Sequence, residues 1–160
     1  MAGITSKNGS NSRVENGVRR LISRSEAETT DLGRGIGESA RGGELVRLIG
    51  PLGSGKSVLA RGIARGLDVS GPVRSPSFNL MREYRGRLIF RHWDLYRLDG
   101  GFDELGLLES VESDALVVVE WAERWEKLER YASGTVFLDY GEDESARIIR
   151  WDGSVPGLGG

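Results

Sequence analysis

Eight consecutive residues, Gly50-Pro51-Leu52-Gly53-Ser54-Gly55-Lys56-Ser57, have the types and order needed to bind a nucleoside triphosphate. They match G-x-x-x-x-G-K-[ST], a phosphate-binding loop. A triphosphate needs several backbone N–H groups converging on its oxygens, and side chains at the tight positions block that approach. Gly50, Gly53 and Gly55 remove those side chains and allow positive φ. The amides from Leu52 through Gly53, Ser54, Gly55, Lys56 and Ser57 to Val58 are the candidate phosphate contacts. Lys56 brings a compact mobile charge to the β- and γ-phosphates, and Ser57 offers a hydroxyl to Mg²⁺. At this chain's own residue frequencies, about 0.01 accidental matches are expected. The chain uses Arg at 19 of its 22 basic positions, yet it keeps Lys here, where a planar guanidinium is no substitute.

Such a loop needs a further carboxylate for the metal shell, normally at the end of a neighbouring apolar strand. Ala115–Val119 is the clearest buried strand in the chain, and Glu120 ends it. Asp94, within His92-Trp93-Asp94-Leu95-Tyr96-Arg97, leaves two readings open: it orients the attacking water or binds Mg²⁺, or it is a structural partner of Arg97. Trp121 packs over the nucleotide, meets a partner, or is simply a buried aromatic. His92 reads as structural, because phosphoryl transfer depends on positioning more than on an imidazole base.

The elements around these residues alternate in α/β fashion. Ser25-Glu26-Ala27-Glu28 is a capping box opening a helix that Gly42-Gly43 stops. Glu44–Ile49 predicts a strand feeding the glycine-rich loop, and Val58–Leu67 predicts a helix after it. Strands follow at Phe78–Tyr84 and Arg87–Trp93, turning at Arg85-Gly86. An acidic, loosely helical stretch spans Asp99–Asp114, a helix is expected at Trp121–Tyr131, and strands at Thr135–Tyr140 and Ala146–Trp151. Residues 1–24 read as a disordered basic arm, 25–152 as one domain, and 153–160 as a flexible tail.

Composition removes other classes. No Cys excludes disulfide scaffolds and thiolate sites, and a single His excludes a multi-histidine metal centre. With no apolar leader and no long apolar run, a cytoplasmic protein with no membrane contact is expected. A net charge of −2 argues against a dedicated non-specific nucleic-acid binder.

Together the motifs resemble the TsaE (YjeE) family, small bacterial ATPases of tRNA threonylcarbamoyladenosine synthesis. Four blocks carry the likeness: Ser25-x-x-x-Thr29-x-x-Leu32-Gly33; Leu48 to Ser57; Val73-Arg74-Ser75-Pro76-Ser77-Phe78 followed by His92-x-Asp94-x-Tyr96-Arg97; and Val119-Glu120-Trp121-Ala122-Glu123-Arg124. The resemblance implies a three-layer α/β/α P-loop fold with a mixed central sheet, ATP and Mg²⁺ as ligands, and Thr29 near the base. It also implies a nucleotide-sensitive switch at Ser75–Phe78, Asp94 as a magnesium- and catalysis-linked carboxylate, and Glu120 as the Walker-B-like acid. Lys56, Asp94 and Glu120 would be catalytic, and Ser57, Asp94 and Glu120 would hold the metal. Family members bind the TsaB–TsaD heterodimer, and through it meet tRNA. Pro51, Ser54, Ser57 and Ser77 replace the usual Asp, Ala, Thr and Thr; Ser57 keeps the metal-binding hydroxyl, whereas Pro51 has no N–H to donate. Arg85, Arg87 and Arg91 form a basic stripe that contacts tRNA or an acidic partner, or is simply solvated. A small-molecule kinase and a nucleotide-dependent assembly switch use the same loop and stand as alternatives.

Overall fold

The sheet is built around two apolar hexapeptides, β3 (Glu44–Ile49) and β6 (Ala115–Glu120), and every residue of β6 is buried. They pair in parallel, with β5 (Ile89–Asp94) beside β6 and β7 (Gly134–Tyr140) beside β3, also parallel. Antiparallel strands close both sides: β4 (Met81–Arg85) on one, and β8 (Arg147–Gly153), β2 (Val18–Ser23) and β1 (Arg13–Glu15) on the other. This gives the mixed order β1-β2-β8-β7-β3-β6-β5-β4 in the computed structural model, which describes residues 13–15, 18–76 and 78–159.

Helices α1 (Glu26–Ser39) and α2 (Lys56–Gly66) cover one face, closing a core with Ile36, Leu59, Ile63, Val46, Val118 and Ile149. The expected α/β fold with a mixed sheet is present. The layer on the opposite face is made of 3₁₀ turns at 102–104, 108–110, 122–124 and 126–131, packed on Trp93, Val117, Val119 and Trp125. Gly100, Gly101 and Gly106 interrupt the first stretch, and non-helical Trp125 (φ −127°, ψ 84°) divides the second.

Four glycines let α1 and α2 cross backbone to backbone. A Cβ on Gly33 would lie 2.3 Å from the Leu59 carbonyl oxygen, and one on Gly37 2.2 Å from that of Ile63. Reciprocally, Gly62 would meet the Thr30 oxygen at 2.2 Å and Gly66 the Arg34 oxygen at 2.1 Å. Any side chain at these positions pushes the helices apart. The crossing also sets where Thr29, on α1, stands relative to the start of α2.

Boundaries moved where tertiary contacts decide them. Ser25 does cap α1, its Oγ accepting from Glu28 N at 3.1 Å, while Glu28 reaches back to Arg24 N at 2.6 Å. The α2 helix starts at Lys56 rather than Val58, because Gly55 serves as a left-handed N-cap. Strand β4 starts at Met81 rather than Phe78, after Leu80 takes φ +62°. Within the stretch expected to be a disordered arm, β1 and β2 are paired strands: Leu21 is buried beside Ile149, and Ser23 Oγ bonds Thr29 Oγ1 at 2.7 Å. Residues 1–12 of that arm lie outside the described residues. The expected flexible tail instead returns to the core through buried Val155, with Leu158 O accepting from Trp151 Nε1 at 3.2 Å.

Candidate functional site

The parallel register brings three strand ends together. Leu48 is opposite Glu120 on β6, and Glu120 is opposite Asp94 on β5. The glycine-rich loop leaves β3 just beyond this row and enters α2, so the loop amides and two carboxylates share the carboxyl edge, where open α/β sheets bind ligands. Gly53 (φ +75°) and Gly55 (φ +103°) use positive φ as expected. Gly50 does not; it is needed because a Cβ there would lie 2.3 Å from Leu138 O and 2.6 Å from Ser54 Oγ. Pro51 has no N–H, but its carbonyl accepts from Ser54 N at 3.1 Å and Lys56 Nζ at 2.9 Å.

Lys56 is buried. Its ammonium donates to Gly50 O at 2.5 Å and stands 4.2 Å from the Trp121 ring centroid, a cation–π contact. Burial lowers its pKa below the ordinary lysine value, against the opposing pull of Glu120, Glu123 and Asp94. Trp121 adopts φ +56°, uncommon for a bulky residue, which turns its ring toward the lysine. The ring continues onto Tyr96 at 4.8 Å, and Arg124 stands over Tyr96 at 5.3 Å. A phosphate that drew Lys56 away would take the cation from the ring. Saturating ATP should therefore change tryptophan emission in the native chain. The change should vanish in Trp121→Phe although Trp93, Trp125 and Trp151 remain. Equal amplitudes in both proteins would refute the contact's role.

Ser57 Oγ lies 3.0 Å from Glu120 Oε1, and His92 Nε2 lies 2.6 Å from Glu120 Oε2. Burial pushes the Glu120 carboxyl up, but His92, Ser57 and Lys56 outweigh it and hold the pKa below the usual range. Asp94 is shifted the other way, raised by burial and by Glu120 against hydrogen bonds from Tyr96 N at 2.9 Å and Ser75 Oγ at 3.4 Å. The pKa values of two carboxylates in one register row are thus driven apart, Glu120 downward and Asp94 upward. The alternative Asp94–Arg97 pairing is not what forms: Arg97 lies 4.3 Å over the Phe78 ring. Ser77 falls outside the described residues.

A metal site fits this donor set. Ser57 Oγ, Glu120 and Asp94 are all hard oxygen donors, and among the described residues no group of three His, Asp or Glu ligands forms. Hard oxygen donors of this kind suit Mg²⁺, which binds through one or two carboxylates and completes its shell with water and substrate phosphates.

Thr29 is buried on α1 and lines a concavity of about 280 Å³ with Glu26, Gly55, Val58, Glu144 and Arg147. Arg147 and Tyr140 escaped sequence reasoning. Arg147 Nη2 donates to Gly53 O at 3.1 Å, and the Tyr140 hydroxyl donates to Leu52 O, so the β7–β8 hairpin ties down the tip of the loop. No motif marks them; only the sheet order, which places β7 next to β3, brings them in. The basic stripe is largely occupied. Arg87 donates to Gly37 O and Ala40 O at the end of α1, and Arg91 pairs with Glu83 and Glu112 at 2.8 Å each.

A family model for the threonylcarbamoyl adenosine biosynthesis protein TsaE matches residues 23–149. The chain belongs to the TsaE family. TsaE of Mycobacterium bovis is 39% identical over 135 residues, 78% of this chain and 80% of the relative. TsaE of Nostoc sp. is 35% identical over 136 residues, 80% of this chain and 82% of the relative. The crystal structure of Bacillus subtilis YdiB superposes with a TM-score of 0.68 at 26% identity, covering 86% of this chain and 87% of that one. The matched span of the TsaE model runs from β2 to β8 and contains every carboxylate, loop and pocket residue described above. No helix of the described residues is long and apolar enough to cross a membrane.

Proposed function

We propose that this TsaE-family chain binds and hydrolyses ATP with Mg²⁺, and thereby supports threonylcarbamoyl transfer to tRNA adenosine by a TsaB–TsaD-type complex in the cytoplasm. Residues from three separate stretches meet at one edge, and that convergence carries the reading. Lys56 and Ser57 follow β3, Glu120 ends β6, and Asp94 ends β5. In this role the Lys56 ammonium leaves the Gly50 and Pro51 carbonyls for the γ-phosphate, while the loop amides hold the phosphate oxygens. Ser57 Oγ and Glu120 Oε1 would hold the metal, which would supply positive charge to offset the charge developing on the phosphate oxygens. Asp94, with its raised pKa, is suited to orient the attacking water and accept its proton. Thr29 and the adjoining concavity face the nucleoside end.

The set is sparse in cationic groups. Arg147 is engaged with Gly53 O and Glu144 O, and among the described residues Lys56 alone is placed for the γ-phosphate. Hydrolysis should be slow in the isolated chain and at least about tenfold faster when a partner supplies the missing charge or closure. Phosphate release measured with and without the TsaB–TsaD pair tests this. Equal rates would contradict it.

A further inference from the structure

His92 fills its place on β5 in a way that packing does not account for. The ring is 1% exposed and stacks on Phe90 at 5.7 Å. Its Nδ1 is buried without a hydrogen-bond partner, while Nε2 makes the 2.6 Å contact to Glu120 Oε2. An apolar ring would occupy the same volume without stranding a polar nitrogen. All of the imidazole's polar interaction is therefore directed at one carboxylate oxygen. An ionised carboxylate only accepts, so Nε2 carries the hydrogen and donates it. With Oε2 tied inward, the group cannot rotate freely, and Oε1 is the atom presented to Ser57 Oγ at 3.0 Å.

We infer that His92 is a positioning residue: by anchoring Glu120 Oε2, it fixes Oε1 and Ser57 Oγ as a preset pair of oxygen donors for Mg²⁺. This rests on the nucleotide-site reading above. It assigns work to a side chain that touches neither phosphate nor metal. Outer partners that orient metal-facing carboxylates typically change metal affinity by about 10–100-fold when removed.

The full chain is titrated with ADP, once in Mg²⁺ and once in EDTA, for the native protein, His92→Leu, His92→Gln and His92→Asn. The amide nitrogen of Gln reaches the position of Nε2, whereas that of Asn reaches only that of Nδ1. In His92→Leu and His92→Asn, the gain in affinity conferred by Mg²⁺ should shrink by about 10–100-fold with EDTA affinity unchanged. His92→Gln should keep the native gain to within about threefold. The Gln and Asn pair keeps the comparison valid if the Leu variant does not fold. Equal behaviour of Gln and Asn would overturn the inference, as would losses of the same size in EDTA and in Mg²⁺. A native chain that bound ADP equally in both conditions would instead overturn the metal site on which the inference stands.

Discussion

Replacing Lys56 by Ala or Met should weaken ATP binding by about 10–100-fold and abolish hydrolysis. In the proposed role the ammonium is the one cation among the described residues placed for the γ-phosphate, and a charge-assisted hydrogen bond in a partly desolvated site contributes about 1.5–3 kcal/mol. The further loss in the chemical step comes from charge that builds on the transferring phosphoryl oxygens, where removing one preorganised donor costs about 2.7–4 kcal/mol. Folding should be little affected. Burial already lowers the Lys56 pKa, so the native state is carrying a partly desolvated charge whose removal offsets the lost bonds to Gly50 O and Pro51 O. The measurement is ATP affinity by calorimetry together with a thermal melt. A variant with native melting temperature and native affinity would show that the lysine is not a phosphate ligand.

The second large effect lies in the helix crossing. Gly→Ala inside a helix normally stabilises by about 1 kcal/mol through propensity. At Gly62 the added Cβ would sit 2.2 Å from Thr30 O and 3.1 Å from Gly33 Cα, which are backbone atoms that no rotamer change can move. Overpacking of that kind costs about 1–3 kcal/mol or more, so the clash outweighs propensity and Gly62→Ala should be destabilised. Gly62→Val adds two methyl groups and a β-branch and should lose about 3 kcal/mol or more. Gly35 sits on the facing helix, α1, with nothing within 4 Å of its would-be Cβ, so Gly35→Ala should be stabilised by about 0.5–1 kcal/mol. For a chain of this length, about 1 kcal/mol moves the melting temperature by roughly 2–4 °C. Melting curves of Gly62→Ala and Gly35→Ala should therefore shift in opposite directions. Shifts of the same sign would mean that the helices do not approach as closely as described.

How much of this was legible in the sequence depended on how local the cause was. The phosphate loop is eight contiguous residues whose chemistry is in their types, and Glu120 follows from the rule that strand ends carry the second carboxylate. Asp94 was ambiguous because its surroundings are set by register: burial at the strand end, and then Glu120 opposite it on β6, raise its pKa, while Arg97, its neighbour in sequence, turns away to Phe78. Trp121 was open for the same reason, and the cation on its ring comes from a residue far along the chain. The helix crossing had a readable signal, since Gly33 and Gly37, and Gly62 and Gly66, repeat at four-residue spacing on two helices. Strand β2 looked like part of a polar arm because its burial is supplied by β8, which lies more than a hundred residues downstream. Arg147 and Tyr140 had no local mark at all.

The most direct test of the central claim is the nucleoside profile of tRNA in cells depleted of this chain and resupplied with the native protein or with Lys56→Ala. Threonylcarbamoyladenosine should fall on depletion, recover with the native chain and fail to recover with Lys56→Ala. Unchanged threonylcarbamoyladenosine on depletion, with no second such ATPase in the cell, or full recovery with Lys56→Ala, would contradict it.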